Sequence, residues 1–414
     1  MPLAISDKVR RQDNQQCNGE LPYRRITVSD VLLLIGFASY YMPERYAVSN
    51  RVLMAWRIIV CIVSVVSLFC FAVRAKITLR WTLINASLWL YYLVSTIVNQ
   101  SDGRMDLGLF YVVCVGGFVT LWEYVLATDF ERGLRAFLIA SIIMCSVHYA
   151  TFLIYRDIPG GMRGIYADAA REALERGTWF FFKHDNGSAF YFLPALTGLW
   201  YYVYSYGRMK RTTVLFSVLT LYMYWYQWSV AAMVVFTAGI GCYILISLED
   251  KFGFLRWLRY RRALFLGTTI CGLVVVLVCG GFEIPALVGT LSKSASLAAR
   301  DRIWTYALRY IGESPIFGVG FEQDSTSILK MGYNHCHNMF LQLLYTGGIA
   351  SLALMMMGLL RFGTKASKQF TKAQNVASIS ILLFFILASF DWYLYIPIPF
   401  TLFYLNSAEI PIHE

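Results

Sequence analysis

The chain of 414 residues contains only five histidines, and two of them, His335 and His337, share one short polar segment. That segment, Tyr333-Asn334-His335-Cys336-His337-Asn338, opens directly into a long apolar run. Imidazole titrates near pH 6.5, so a histidine at such a boundary is suited to take a proton from a hydroxyl at neutral pH. His337 is therefore the candidate general base, with His335 and Asn338 in support. The same residue types admit two other readings. One is helix capping or packing. The other is a metal held by His335 and His337 with Cys336, for which the sequence offers no second cluster of ligand-type residues.

Upstream, Leu297, Trp304, Leu308 and Ile311 recur at helical spacing and predict an amphipathic helix lying on a membrane surface. Arg300 falls one turn before Trp304 and shares its face, whereas Arg302 and Arg309 point to the other side. An arginine on a buried face requires an anionic partner, and the guanidinium fork matches phosphate oxygens. A solvated surface helix, or one touching lipid phosphates, is the plainer reading. The helix is expected to end at Glu313-Ser-Pro315-Ile-Phe-Gly318-Val-Gly320, a proline and glycine turn. A second basic region begins at Gly160-Gly-Met-Arg163-Gly164, continues through a short helix over Tyr166–Arg176, and ends at Lys183-His184-Asp185-Asn186. Arg163, Arg171, Arg176 and Lys183 form a cationic surface there, and a solvated basic loop is the alternative reading.

These segments must be carried by helices that cross a bilayer. The chain is 58% hydrophobic, 16% aromatic and 15% charged, with a mean hydropathy of +0.54; soluble domains carry about a quarter charged residues. The expected fold is all-α, a single polytopic membrane domain over residues 1–414 with about twelve transmembrane helices. The apolar runs are Ile26–Met42, Val52–Val73, Thr82–Val98, Leu107–Ala127, Ala136–Tyr155, Ala189–Tyr206, Thr212–Gln227, Ser229–Leu248, Ala263–Gly281, Asn338–Leu360, Val376–Phe390 and Leu394–Asn406. The polar stretch before Ile26 does not resemble a cleavable signal, so the first run is expected to remain as a span.

Cations alternate between the connecting loops. Arg24 and Arg25, Arg74 to Arg80, Arg132 and Arg135, Arg208 to Arg211, Lys251 to Arg262 and Arg361 to Lys372 fall on one side. The positive-inside rule makes that side cytoplasmic, with residues 1–25 a cytoplasmic tail and both termini inside. Two long loops, 156–188 and 282–336, then lie outside, where Arg163, Lys183, Arg300, Arg302 and His337 gather. The net charge of +11 is thus a topological signal and does not point to nucleic acid. Nine scattered cysteines imply no disulfide framework. Arg57, Glu123 and Asp391 lie near span ends, where snorkelling accounts for them. No internal repeat is visible, which argues against an inverted-repeat transporter.

Taken together, the segments resemble the bacterial O-antigen ligase and surface polysaccharide polymerase superfamily. The Arg-x-x-x-Trp helix followed by Pro-x-x-Gly-x-Gly is matched by Arg300, Trp304, Pro315, Gly318 and Gly320. A His-Asn pair opening a span, with a glycine pair beyond, is matched by His337, Asn338, Gly347 and Gly348. An Arg-containing loop before an Asn-bearing span start is matched by Arg163 and Asn186. The resemblance is strongest from about Ala298 to Leu360. It implies a fold related to C-type glycosyltransferases, an extracytoplasmic active site at the bacterial cytoplasmic membrane, no cofactor and no required metal.

The implied donor is a glycan on undecaprenyl pyrophosphate, bound by Arg300, Arg163, Arg302 and Lys183, with His337 as base. A chain-length regulator and a flippase of the same pathway are the implied partners besides membrane lipids. The implied reaction is polymerisation of repeat units, with transfer of the finished glycan to lipid A–core or another acceptor as the alternative. A flippase of lipid-linked sugars is the alternative of another class. One departure stands out: where the family often has Ser-Arg-Gly at the eighth span, this chain reads Ser229-Val230-Ala231.

Overall fold

A computed structural model describes residues 27–43, 48–74, 78–99, 105–158, 180–182, 185–248, 294–362, 371–391 and 396–408. Among them the regular structure is helical throughout. In chain order the helices are α1 (Val28–Ser39), α2 (Asn50–Arg74), α3 (Leu79–Asn99), α4 (Met105–Thr128) and α5 (Phe130–Tyr155). They continue with α6 (Asp185–Tyr206), α7 (Lys210–Tyr226), α8 (Val230–Ile246), α9 (Ser294–Glu313), α10 (Asp324–Met331), α11 (Met339–Phe362), α12 (Lys372–Ala388) and α13 (Phe400–Ser407). Among the described residues five helices are long and apolar enough to cross a membrane: Asn50–Cys70 of α2, α3, Gly108–Thr128 of α4, α5 and α11. The expected span 263–281 and most of the loop 156–188 lie outside the described residues.

Local chemistry sets the helix starts. Thr78 accepts from the Trp81 N–H, Asp129 from the Arg132 N–H, and Thr371 and Gln374 form a capping box at α12. Lipid and protein then divide the helices between them. On α2, Ile58, Ile62, Val65 and Phe69 are more than half exposed, as suits side chains facing hydrocarbon. On α12, Val376, Ile381 and Phe385 are fully buried against the centre of the bundle. Small residues permit the closest helix contacts, because dispersion between well-fitted backbones must replace the hydrophobic drive that water would supply. A Cβ on Gly117 of α4 would stand 2.3 Å from the Ser64 Cβ of α2. Polar side chains bind the interior: Tyr243, Ser380 and Thr197 share hydrogen bonds of 2.5–3.3 Å between α8, α12 and α6.

The side chains that meet are consistent with alternating spans. Arg132 pairs with Asp30 at 2.5 Å, Arg80 lies 3.7 Å from Glu123, and Arg208 lies 3.8 Å from Glu131. All three contacts fall at the bundle end that the loop cations mark. At the opposite end, Arg156 donates to the Tyr222 hydroxyl at 2.5 Å and Ser314 to Asn99 at 3.3 Å.

The expected tenth span is not one straight helix. Gly348 has φ 66° and ψ −173°, which breaks α11 into two halves. The break would strand backbone groups inside the protein, where each unpaired one is costly. Residues 315–320 supply the partners. Val319 and Gly320 N–H donate to the carbonyls of Tyr345 and Thr346 at 2.7 and 3.0 Å, and Ile349 N–H donates to Pro315 O at 2.9 Å. The approach leaves no room for side chains: a Cβ on Gly348 would stand 2.0 Å from Ile316 O, and one on Gly318 2.5 Å from Tyr345 O. The Gly-x-Gly turn and the glycine pair are thus two halves of one joint. Across from it α3 carries a π-helical turn over Leu90–Val94, and Ser95 Oγ donates to Thr346 O.

Candidate functional site

The polar segment before α11 is held through Cys336, His337 and Asn338. Trp304, 1% exposed on α9, donates its indole N–H to Cys336 O at 2.8 Å. Gln342, one turn into α11, accepts the Cys336 N–H at 2.8 Å and donates to Thr346 at 3.0 Å. His337 N–H donates to His335 Nδ1 at 3.1 Å. Asn338 is the N-cap of α11, its Oδ1 accepting from the Leu341 N–H at 2.9 Å. Its Nδ2 donates to Ser389 O at 2.9 Å, tying the segment to the end of α12.

This clamping fixes His337 in a left-handed conformation, φ 48°. Residues other than glycine adopt it only where surroundings over-determine the backbone, and such positions cluster at functional sites. The His337 ring lies 4.1 Å from that of His335 and 4.4 Å from that of Tyr333, measured between centroids. Its Nδ1 is 3.7 Å from Asp391 Oδ1. Asp391 is 3% exposed, so it is not the snorkelling residue that its place near a span end suggested. The Nδ1 and Oδ1 atoms are within ion-pair distance and beyond hydrogen-bond length.

Cys336 turns the other way. Its thiol packs 3.9 Å from the Met331 sulfur within a cluster that includes Trp304 and Tyr345. Burial, reinforced by the Glu322 charge, pushes its pKa well above the ordinary thiol value, so it is neither a nucleophile nor a ready metal ligand. The third ligand-type side chain near the two imidazoles is instead Asp391: the ligand atoms of His335, His337 and Asp391 lie within 4.8 Å of one another. Zinc bonds of about 2.0–2.1 Å require tetrahedral ligand atoms about 3.4 Å apart, so the group would have to contract around an ion.

The amphipathic helix forms as expected, as α9. Arg300 is half-buried and Arg302 exposed, which agrees with their division between the Trp304 face and the opposite one. Through Trp304 the Arg300 face of α9 is applied to the histidine segment. Behind it, Glu322 is paired with Lys330 and accepts from the Tyr345 hydroxyl at 2.8 Å, a buried network that seats the 315–331 region on α11. Arg163 and Lys183 lie outside the described residues, as does the side chain of Asn186, whose backbone is in the first turn of α6. Two contributors escaped the sequence reading, Asp391 and Gln342. Asp391 carried a signal, an acid at the mouth of a span on the same side as His337. Gln342 carried none, being one polar residue in an apolar run.

Residues 188–356 match the O-antigen ligase family. That match supports a kinship of this segment with the O-antigen ligase and polymerase superfamily. Its members are glycosyltransferase-like enzymes. No curated protein matches the chain. The superfamily segment contains the α9 arginines, Trp304, the glycine joint and the histidine segment, whereas Asp391 lies beyond it.

Proposed function

We propose that this protein transfers a glycan from a polyprenyl pyrophosphate at the outer face of the bacterial cytoplasmic membrane, joining oligosaccharide repeat units into a polysaccharide. The observation that carries the reading is the Trp304 to Cys336 hydrogen bond, which applies the Arg300 helix to the segment that presents His337 to Asp391. In this reading His337 removes the proton from the attacking sugar hydroxyl, a step that contributes about 10²–10⁴-fold. Asp391 holds the ring and stabilises the imidazolium that forms. The oxygen attacks the anomeric carbon, the carbon–oxygen bond to the pyrophosphate breaks, and the released lipid pyrophosphate takes the electron pair. Arg300, with Arg302, Arg163 and Lys183 from the same side, neutralises that growing charge, the electrostatic contribution to catalysis that is usually largest. Direct attack inverts the anomeric centre.

The twelve-span plan, the kinship with C-type glycosyltransferases, the undecaprenyl carrier, metal-independence and cytoplasmic termini belong to this proposal. Transfer of the finished glycan to lipid A–core or another acceptor is the second reading, favoured by the O-antigen ligase description of residues 188–356. Both use the same donor end. The glycan pattern of a deletion strain separates them: product capped with single repeat units indicates lost polymerisation, and accumulated long lipid-linked chains indicate lost ligation. An unchanged pattern would remove both.

A further inference from the structure

Two of the five histidines meet a buried acid at one point of the fold. The metal-ligating atoms of His335, His337 and Asp391 lie within 4.8 Å of one another, although Asp391 comes from beyond the end of α12. Backbone conformation brings the imidazoles together. His335 and His337 flank Cys336, and the left-handed turn at His337, φ 48°, accompanies rings only 4.1 Å apart between centroids. The Cys336 thiol packs against Met331 instead. Tyr333 stands beside both imidazoles, its ring 5.2 Å from that of His335 and 4.4 Å from that of His337. Asp391 is buried and both histidines are half-buried, so the group lies against an aromatic wall and keeps one side toward solvent.

Two imidazole nitrogens and a carboxylate oxygen, with water in the fourth place, make a ligand set that zinc accepts where its site stays open. Imidazole selects zinc, copper and nickel, whereas magnesium and calcium take oxygen ligands. One edge of the tetrahedron is nearly in place. His337 Nδ1 is 3.7 Å from Asp391 Oδ1, against about 3.4 Å between ligand atoms at zinc bond lengths. The larger approach falls to His335. Its Nδ1 accepts the His337 N–H at 3.1 Å, so giving a nitrogen lone pair to an ion sacrifices that bond. One neutral hydrogen bond lowers the affinity roughly tenfold at most.

We propose that His335, His337 and Asp391 form an inhibitory site for Zn²⁺ and related divalent transition-metal ions, and that capture of the ion halts glycan transfer. With His337 Nδ1 on the metal, the imidazole proton sits on Nε2. The ring then has no lone pair left to take the proton of a sugar hydroxyl. Asp391, bound to the same ion, no longer serves the imidazolium. The inhibition rests on the transfer reading above, in which the ion-free protein is the active form. Ion binding does not depend on that reading.

The test uses the full chain in phosphatidylcholine nanodiscs, stripped by a chelator that is then removed. The probe is Co²⁺, whose visible absorption reports its ligand geometry. One Co²⁺ per chain should bind with the intense bands of a tetrahedral site, and Zn²⁺ should bleach them. His335→Ala, His337→Ala and Asp391→Asn should each weaken Co²⁺ binding about tenfold or more, since even outer partners of a metal ligand are worth about 10–100-fold. Cys336→Ala should leave the spectrum unchanged. Zn²⁺ equimolar with the parent protein should lower glycan transfer about tenfold or more, and the chelator should restore it. Mg²⁺ should neither displace Co²⁺ nor slow transfer. Co²⁺ binding that survives all three ligand substitutions would overturn the proposal. So would transfer indifferent to Zn²⁺ while Co²⁺ binding is intact, or transfer that the stripped protein lacks and Zn²⁺ supplies. Should the alanine variants lose their monodisperse elution, His337→Gln and Asp391→Asn, which nearly preserve side-chain volume, decide in their place. Glycan transfer by His337→Ala separates the two readings: full transfer would remove the base and leave Co²⁺ absorption to judge the site.

Discussion

The two ends of the helix bundle both bury charge, and they do so differently. At the end marked by loop cations, three pairs of described residues bring opposite charges together from different helices. Arg132 meets Asp30, and Arg80 meets Glu123, which also accepts from Thr78 and Tyr404. The Arg80 guanidinium further lies 5.2 Å over the Phe362 ring. Such closed pairs hold helices together. At the other end Asp391 lies beside an imidazole rather than a guanidinium, and no described carboxylate is within ion-pair distance of Arg300. The backbone work there goes into holding His337 in a strained conformation. One end joins charges of opposite sign between helices, whereas at the other Arg300 has no described carboxylate within ion-pair distance and His337 faces Asp391. Glu123 and Asp391 are both carboxylates, similarly buried and both near span ends, so their partners, a guanidinium for one and an imidazole for the other, are what separates them.

The largest expected effect tests that separation directly. His337→Ala should lower glycan transfer by about 10²–10⁴-fold while membrane insertion and thermal stability stay close to the parent. Glu123→Gln should do the reverse. It leaves Arg80 buried without its counter-charge, which costs about 3–5 kcal/mol, and the protein that remains folded should transfer normally. Transfer by purified protein in nanodiscs, normalised to the monodisperse fraction, measures both. Comparable transfer defects per folded molecule would erase the distinction between the two ends. The same assay with a chelator should show undiminished transfer; activity lost on chelation and restored by one divalent ion would reassign His335, His337 and Asp391 as ligands.

Next in size are the groups around the base. Arg300→Ala should cost roughly ten- to a hundredfold, equivalent to losing a charge-assisted contact of about 1.5–3 kcal/mol. Arg300→Lys should remain impaired, because an ammonium lacks the bidentate fork. The exposed Arg302 should tolerate alanine far better, and equal losses at the two positions would show that the Trp304 face of α9 has no special relation to the donor.

The smallest effect sharpens the clamp. Trp304→Phe keeps the aromatic body and removes the hydrogen bond to Cys336 O. A bond of this kind is worth about 0.5–1.5 kcal/mol, so transfer should fall only severalfold, with kcat affected more than KM. Trp304→Ala also opens a cavity and should destabilise by about 3–5 kcal/mol. Indifference of kcat to Trp304→Phe would mean that the indole N–H does not position the histidine segment.

Composition and the spacing of apolar runs were enough to establish a helical membrane protein, because a bilayer demands long uncharged segments and leaves few alternatives. Helical spacing placed Trp304 and Arg300 on one face, since the α-helical period is independent of what the helix touches. The histidine segment was legible because His337 is one of few histidines and stands beside the Asn338 cap. The motif glycines were visible too, but their purpose was not. That Gly318 and Gly348 occupy one backbone joint depends on two segments meeting across α11, and no local pattern encodes such a meeting. The same holds for Asp391, which became the neighbour of His337 only when Asn338 bound the end of α12. Local periodicity determines the helices. Long-range packing decided which carboxylate meets the histidine, and it broke one expected span at Gly348.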